Sequence, residues 1–597
     1  MSMTEANRKA NWLWIALGGL LVLAAVLATS AGIESALRGE ADGDLAWGPA
    51  LFRLMLGVHG LLLMGIGAGV FRRRGVATVA ERSAARTPRW AWWGLGGLIV
   101  VSIPLRLWNL GGDLALWDWG AKLGFKAQGN GLWLDEILTM LDYAPLTLGQ
   151  IVTEFPNQNQ HMLYSVCVWV AFQLFGEGEW QLRLPAAVFG VACLPVLFLL
   201  GRRLVGVREA LLACALMTFS YHHVWFSQNA RGYSGLLLFA MLATWLWLEA
   251  LPRGRWGWWI GYAAAVTAGM MVHLTMAFVV AAHGISWLVL VWRTGSGRRA
   301  AAGDAGLGSV WMPLGGMLLA AGVTLQLYAL SIPQFLRTGL HEESANAEWT
   351  NPLWTLLATI EAMHMGWVSA VAALSGGTVL MAVGLLSVWR RSRTAVIAMV
   401  LPGLMLVLMI VLMQHNFWPR FAFFAMGFVL LLAVRGMTAA GEFGFGLVMG
   451  RDRAVRVAAM VVTVLWLAGV VLSAFTLPKA ILHPKQNYAG AILFFDYRRV
   501  EKQANDHVMV VGLAAKAYAY YKPDWPEAVT VADIDAAAAR ADGDLWVVYT
   551  LGYQLESFAP ELWSVIERDF RVVERHGGTL GGGEVYVKRY EPADRTD

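Results

Sequence analysis

Apolar residues fall along this chain in long unbroken blocks, not in the stripe of a half-buried helix or the alternation of a half-buried strand. Thirteen blocks, near 11–31, 48–71, 91–109, 184–203, 210–226, 234–250, 257–272, 274–291, 309–331, 367–389, 394–414, 421–439 and 457–477, approach the roughly 20 residues a helix needs to cross a hydrocarbon layer. Another apolar run, 161–176 (HMLYSVCVWVAFQLFG), is shorter. Beyond residue 477 the pattern changes. Short β-type runs at 508–513, 545–549 and 584–590 are interleaved with an Ala-rich helical stretch at 534–541. The pattern predicts a mainly α protein: a polytopic transmembrane bundle of about 13 spans with a small soluble C-terminal α/β domain. It divides the chain into two N-terminal helices with a basic loop (1–90), a transmembrane core with a long polar loop at 110–182 (91–477), and the soluble domain (478–597). No repeat of fixed period runs through it.

Composition agrees. The chain is 57% hydrophobic and 15% charged, against about 25% charged in soluble domains, and its mean hydropathy is +0.53. A net charge of +5 does not point to nucleic acid, because the basic residues sit in short stretches between apolar runs, where membrane topology is encoded. Cys167, Cys193 and Cys214 all lie in apolar segments, with no zinc spacing and no disulfide framework. The first apolar run is long enough to span, and no small-residue cleavage site follows it.

Loop charge sets the sidedness. With the N-terminus inside, thirteen spans place every Arg cluster in the cytoplasm: Arg72, Arg73 and Arg74; Arg202 and Arg203; Arg253 and Arg255; Arg298 and Arg299; Arg390 and Arg391; Arg451 and Arg453. That parity requires 161–176 to be re-entrant or to lie along the outer interface, since a full crossing would invert every later loop. The loop 110–182, the segments 227–233, 333–352 and 414–420, His273 and the C-terminal domain then face outward.

The outer face collects the candidate chemistry. Asp135 and Glu136 stand together in GLWLDEILT. Acids in the first turn of a helix suit its dipole, so they could simply begin an interfacial helix. Alternatively they supply a general base or a metal-binding carboxylate. Neighbours on a helix point about 100° apart, so the two acids have different tasks. Arg231 in FSQNARGYS, with Gln228, Asn229 and Tyr233, forms a polar cluster at a helix junction, of the kind that lines a cavity. Arg183 in EWQLRLP and Arg420 in NFWPRFAFF are external positive charges, against the usual bias. Each is either a snorkelling anchor or a contact for a bound anion such as phosphate. His273 and His161 are each a hydrogen-bonded structural residue or a metal ligand. Carboxylates and arginines beside a bilayer suit sugar transfer from a lipid phosphate: arginines hold the leaving phosphate and a carboxylate takes the acceptor's proton.

At these residues the sequence resembles the integral-membrane glycosyltransferases of the C-type fold, glycosyltransferase family 39-like, in the branch of protein O-mannosyltransferases and lipid A aminoarabinose transferases. The resemblance lies in motif order: WLDEILT, then PNQNQHMLYSVCVWVAFQLFGEGEWQLRLPAAVFG, LGRRLVG, FSQNARGYS and WPRFAFF. Gln160-His161 stands where many relatives carry Pro-Pro. The resemblance implies an inverting transferase that moves a sugar from a polyprenyl-phosphate donor, undecaprenyl phosphate in bacteria, to an extracytoplasmic protein or glycolipid acceptor. It implies residence in the bacterial inner membrane. Asp135 is then the base and Glu136 its support; Arg183, Arg231 and Arg420 contact the donor phosphate. Asn157, Asn159, His161, Gln228 and Tyr233 line the substrate. Some relatives bind a divalent metal near the acidic motif, which here implicates Glu136 and His273. The competing function classes are a polytopic transporter, whose buried charges mark a path, and a non-catalytic envelope-assembly protein.

Overall fold

The computed structural model describes residues 3–38, 46–68, 87–111, 131–155, 159–295, 310–339, 367–413, 419–502 and 505–591. Among them, eight helices are long and apolar enough to cross a membrane: Gly48–Gly67, Arg89–Leu107, Glu179–Leu204, Tyr233–Arg253, Met276–Arg293, Arg393–Leu412, Arg420–Gly446 and Arg451–Leu482. Trp12–Leu27 and Ser30–Arg38, bent by 98° at their junction, make a ninth if counted as one span. The other expected blocks are helical but differ in length. Trp256–Val272 has 17 residues, Trp311–Tyr328 has 18 and Trp367–Trp389 has 23.

The expected span 210–226 is two helices, Val207–Thr218 and Tyr221–Ser227. The break has a local cause. Ser220 accepts a hydrogen bond from the His223 N–H at 3.4 Å and so caps a new helix inside the apolar run. Met162–Phe175 has 14 residues, about 21 Å at 1.5 Å per residue, short of a hydrocarbon core of about 30 Å.

Tyr233–Arg253 is the most enclosed of the long helices. Its Leu236, Leu237, Ala240, Met241, Ala243 and Trp247 are fully buried. Several ion pairs gather toward one end of the bundle. There Arg203 pairs with Glu249 at 3.3 Å, Arg208 with Glu209 at 2.9 Å, and Arg435 with Glu442 at 3.0 Å. Arg183 stands near the other end of the Glu179–Leu204 helix, close to 30 Å from Arg203 at helical rise.

The soluble part is a five-stranded sheet of order β2-β1-β3-β5-β4, made of β1 (Asp506–Val511), β2 (Glu527–Ala528), β3 (Asp544–Thr550), β4 (Phe570–His576) and β5 (Val585–Tyr590). β1 pairs in parallel with β2 and β3; β5 is antiparallel to β3 and β4. The α/β character expected from the sequence is there; β4 and the short β2 are additions. Arg498 ties β1 to β3 through Asp506 at 2.7 Å and Asp544 at 2.9 Å. The inner face of the sheet (Val510, Trp546, Val548, Val587) shares one apolar core with Leu132, Ile137, Tyr164 and Leu182 of the membrane part. The soluble domain is therefore packed onto the acidic motif by hydrophobic burial, the dominant favourable term in folding.

Candidate active site

The acidic motif forms a five-residue helix, Leu134–Leu138, running into a π-helical turn, Thr139–Tyr143. A helix this short is unstable alone, so its orientation is set by what holds it. Glu136 supplies the main hold. Its Oε1 accepts from Arg183 Nε at 2.8 Å and from the Ala230 N–H at 2.7 Å, and its Oε2 accepts from Arg183 Nη2 at 2.5 Å. The same guanidinium donates to the carbonyls of Leu110 at 2.9 Å and Gly131 at 3.0 Å. Burial alone would raise the Glu136 pKa; the charges of Arg183 and Lys485 and the hydrogen bonds more than offset this, and the group stays ionised below the usual carboxylate range.

The sequence expectations put Arg183 on the donor phosphate and Glu136 in support of the base or on a metal. In the structure both side chains are fully buried and are bound to each other and to the backbone of Leu110, Gly131 and Ala230. An Arg and a Glu that lie 47 residues apart neutralise each other because both are cut off from water.

Asp135, on the adjacent face, has different company. Arg420 Nη1 donates to its Oδ2 at 3.1 Å, and Arg231 Nε lies 3.8 Å from the same oxygen. Arg231 is oriented by Asn159, which accepts from Nη1 through its backbone oxygen at 3.0 Å and from Nη2 through Oδ1 at 3.1 Å. Among the described residues two guanidiniums thus face the Asp135 carboxylate, a setting suited to an anion. The Arg231 turn can sit this deep because residue 232 is Gly. A Cβ there would lie 2.6 Å from Val272 Cγ1 and 2.9 Å from His161 Nδ1.

An aromatic wall flanks the cradle. The rings of His161, His273 and Tyr233 form a triangle, His161 being 5.2 Å from His273 and 5.7 Å from Tyr233. His161 Nδ1 donates to the Val272 carbonyl at 2.7 Å, which leaves Nε2 bare as an acceptor. His273 is the opposite tautomer: Nδ1 accepts from the Thr275 N–H at 3.2 Å. Burial, then the charges of Arg231 and Arg420, push the His273 pKa down to about 3, and burial with Arg231 pushes His161 well down too. Both rings are neutral at physiological pH. The metal expectation does not fit this donor set: among the described residues no group of three or more His, Cys, Asp or Glu could hold an ion, and His273 spends Nδ1 on Thr275.

Of the remaining expected substrate contacts, Gln228 points away. Its Nε2 donates to the carbonyls of Leu105, Arg106 and Trp108, the last at 2.6 Å, and so ties down the end of the Arg89–Leu107 helix. Tyr233 is buried in the aromatic wall, and Asn157 lies outside the described residues. Four residues of the soluble domain went unread in the sequence. Lys485 Nζ stands 3.8 Å from Glu136 Oε1, and Gln486 Oε1 accepts from the Leu134 N–H at 2.9 Å. Tyr488 lies within the field of Asp135 and Tyr553 within that of Arg420. The only available signal was position, since HPKQNY lies five residues beyond the last apolar block.

With this geometry in view, comparison with known proteins is informative. Residues 160–303 match the model of the family described as dolichyl-phosphate-mannose-protein mannosyltransferase. That stretch, about a quarter of the chain, is similar to the family. It carries His161, Arg183, Arg231 and His273, and over it the resemblance read from the motifs is borne out. No curated protein matches the chain. Among solved structures, the chain is similar to ArnT from Cupriavidus metallidurans in the apo state, at 14% identity and a TM-score of 0.44, with 84% of this chain and 97% of that one covered. It is similar to the oligosaccharyltransferase AglB from Archaeoglobus fulgidus, at 13% identity and a TM-score of 0.41, covering 83% and 74%. The arabinosyltransferase EmbB from Mycobacterium smegmatis follows at 12% identity and a TM-score of 0.37, covering 79% and 46%.

Proposed function

We propose that this protein is a membrane glycosyltransferase that moves a sugar from a polyprenyl-phosphate donor to a hydroxyl of an acceptor outside the cytoplasm, with inversion and with Asp135 as base. The observation that carries this reading is the meeting of Asp135 with Arg231 and Arg420, the last 285 residues away in sequence, at the end of the bundle opposite its basic belt. The belt of Arg203, Arg208, Arg253 and Arg435 is cytoplasmic by the charge rule, which puts the cradle and the soluble domain on the outer side.

The chemistry follows from the cradle. Arg231 and Arg420 hold the donor phosphate. Its negative charge competes with Asp135 for Arg420, which frees an Asp135 oxygen to meet the acceptor hydroxyl. Asp135 then accepts the proton of the acceptor hydroxyl. The hydroxyl oxygen bonds to the anomeric carbon as the bond from that carbon to the phosphate oxygen breaks. Charge developing on the leaving phosphate is met by guanidiniums already in place.

The test is incubation of the purified protein with undecaprenyl-phosphate-linked mannose, glucose and aminoarabinose in turn, each with an envelope extract of proteins and glycolipids as acceptor, reading release of undecaprenyl phosphate. Consumption of none of them overturns the reading. Arg231→Ala and Arg420→Ala are each expected to weaken undecaprenyl phosphate binding by about 10- to 100-fold, the worth of one or two charge-assisted hydrogen bonds. Unchanged binding in both variants removes them from the phosphate site.

A further inference from the structure

In the helix that carries Asp135, Glu136 reaches back to the Trp133 N–H at 3.4 Å, but no side chain of the helix meets the Leu134 N–H. The N-cap residue is Trp133, which makes no side-chain cap bond, and the first N–H of a helix needs an outside partner. The Leu134 N–H finds one 352 residues away, on Gln486 Oε1 at 2.9 Å. That oxygen also accepts from the Tyr488 hydroxyl at 3.1 Å, and Gln486 Nε2 donates to Thr550 Oγ1, at the end of β3, at 3.3 Å.

Lys485 makes the complementary contact. Its Nζ donates at 2.7 Å to the Gln228 carbonyl, at the C-terminal end of the Tyr221–Ser227 helix where the Arg231 turn begins. It also stands 3.8 Å from Glu136 and 5.4 Å from the Trp225 ring centroid. A cation suits a helix C-terminus and a neutral acceptor suits a helix N-terminus. Both side chains are buried, and the β4–β5 loop pins their backbone: Thr579 N–H donates to the Pro484 carbonyl at 2.9 Å and Leu580 N–H to that of Lys485 at 3.0 Å. Two adjacent residues at the root of the soluble domain therefore cap, in opposite senses, the two elements that bear the carboxylate and one guanidinium of the cradle.

We propose that Lys485 and Gln486 are positioning residues, and that docking of the soluble domain aims Asp135 and Arg231 at one substrate phosphate. This rests on the reading of Asp135 as the base. The soluble domain is then a working part of the transferase. A tilt of the five-residue acidic helix moves Asp135 against Arg420, and a displacement of about 1 Å in a reacting group costs on the order of 100-fold in rate.

The experiment uses the full-length protein in lipid nanodiscs with whichever undecaprenyl-phosphate-linked sugar it consumes. Gln486→Leu is expected to lower kcat about 30-fold with donor KM within about twofold, and Thr550→Val, which only frees the Gln486 amide, to lower kcat about threefold. In an Asp135→Glu background, where the carboxylate is already misplaced, Gln486→Leu should cost less than about threefold, as residues acting as a unit are non-additive. Arg499→Ala, at an exposed site, is the unchanged control. A folded Gln486→Leu protein with wild-type kcat overturns the inference, as does the full loss persisting in the Asp135→Glu background. If Gln486→Leu does not fold, Thr550→Val decides: a rise in KM with kcat intact sinks it. Asp135→Asn, run alongside, separates the failures, because an active Asp135→Asn protein removes the base assignment itself.

Discussion

Asp135→Asn is expected to cut sugar transfer by about 10²- to 10⁴-fold, the usual contribution of a positioned general base, while the protein stays folded and in the membrane. The side chain keeps its size and its hydrogen-bonding reach to Arg420, so the cradle retains its shape. What it loses is the ability to take a proton and the negative charge that Arg231 and Arg420 now face at 3.8 and 3.1 Å. Undecaprenyl phosphate should accordingly bind more tightly to Asp135→Asn than to the wild type, since the phosphate no longer competes with a carboxylate. Loss of rate with gain of product affinity marks a base inside an anion site; a structural role for Asp135 predicts loss of both. The measurement is initial rate and undecaprenyl phosphate affinity on the same preparation, and an unaltered rate removes Asp135 from the mechanism.

The second large effect falls on folding. Arg183→Met and Glu136→Gln each leave a charge or amide in a site that excludes water completely. Breaking a buried pair from one side costs about 3–5 kcal/mol, enough to deplete the folded protein in the membrane. The Glu136→Gln, Arg183→Met double variant should be less damaging than either change alone, because neither member of the pair is left charged without the other and Lys485 keeps its hydrogen bond to the Gln228 carbonyl. Thermal unfolding in detergent and abundance in the membrane fraction read this out. An Arg183→Met protein that melts like the wild type but binds undecaprenyl phosphate poorly would return Arg183 to the donor site. The pair also has a pH signature. The folded Glu136 pKa lies below its unfolded value, so its stabilisation is complete above about pH 4.5 and drains away as pH falls through the lower folded value. Glu136→Gln should flatten the acid limb of the stability curve.

Much of the site was legible because its charges contradict their setting. Arg231 and Arg420 stood out as positive residues on the outer side of an apolar chain, and both reach Asp135. Arg183 stood out for the same reason and went elsewhere. A sequence shows that a charge is present but not which neighbour will satisfy it, and here the neighbour was Glu136, one residue from the intended partner. Gln228 read as a cavity residue because amides near a bilayer usually line one; its donors instead satisfy three carbonyls at a helix end. Lys485 and Gln486 carried no signal, since a Lys and a Gln after the last apolar block look like ordinary interfacial polarity.

By itself the sequence determined the solvent. Blocks of some twenty apolar residues have their lowest free energy as helices in lipid, and basic loops cost least on the cytoplasmic side, so composition and order sufficed to place the chain in a bilayer. Tertiary structure decided the chemistry. Coulomb and hydrogen-bond energies depend on separations of a few ångströms and on exclusion of water, and residues 135, 231, 420 and 486 acquire those separations only when the helices pack. The same packing made Glu136 a fastening and left Asp135, next to it, facing the anion cradle.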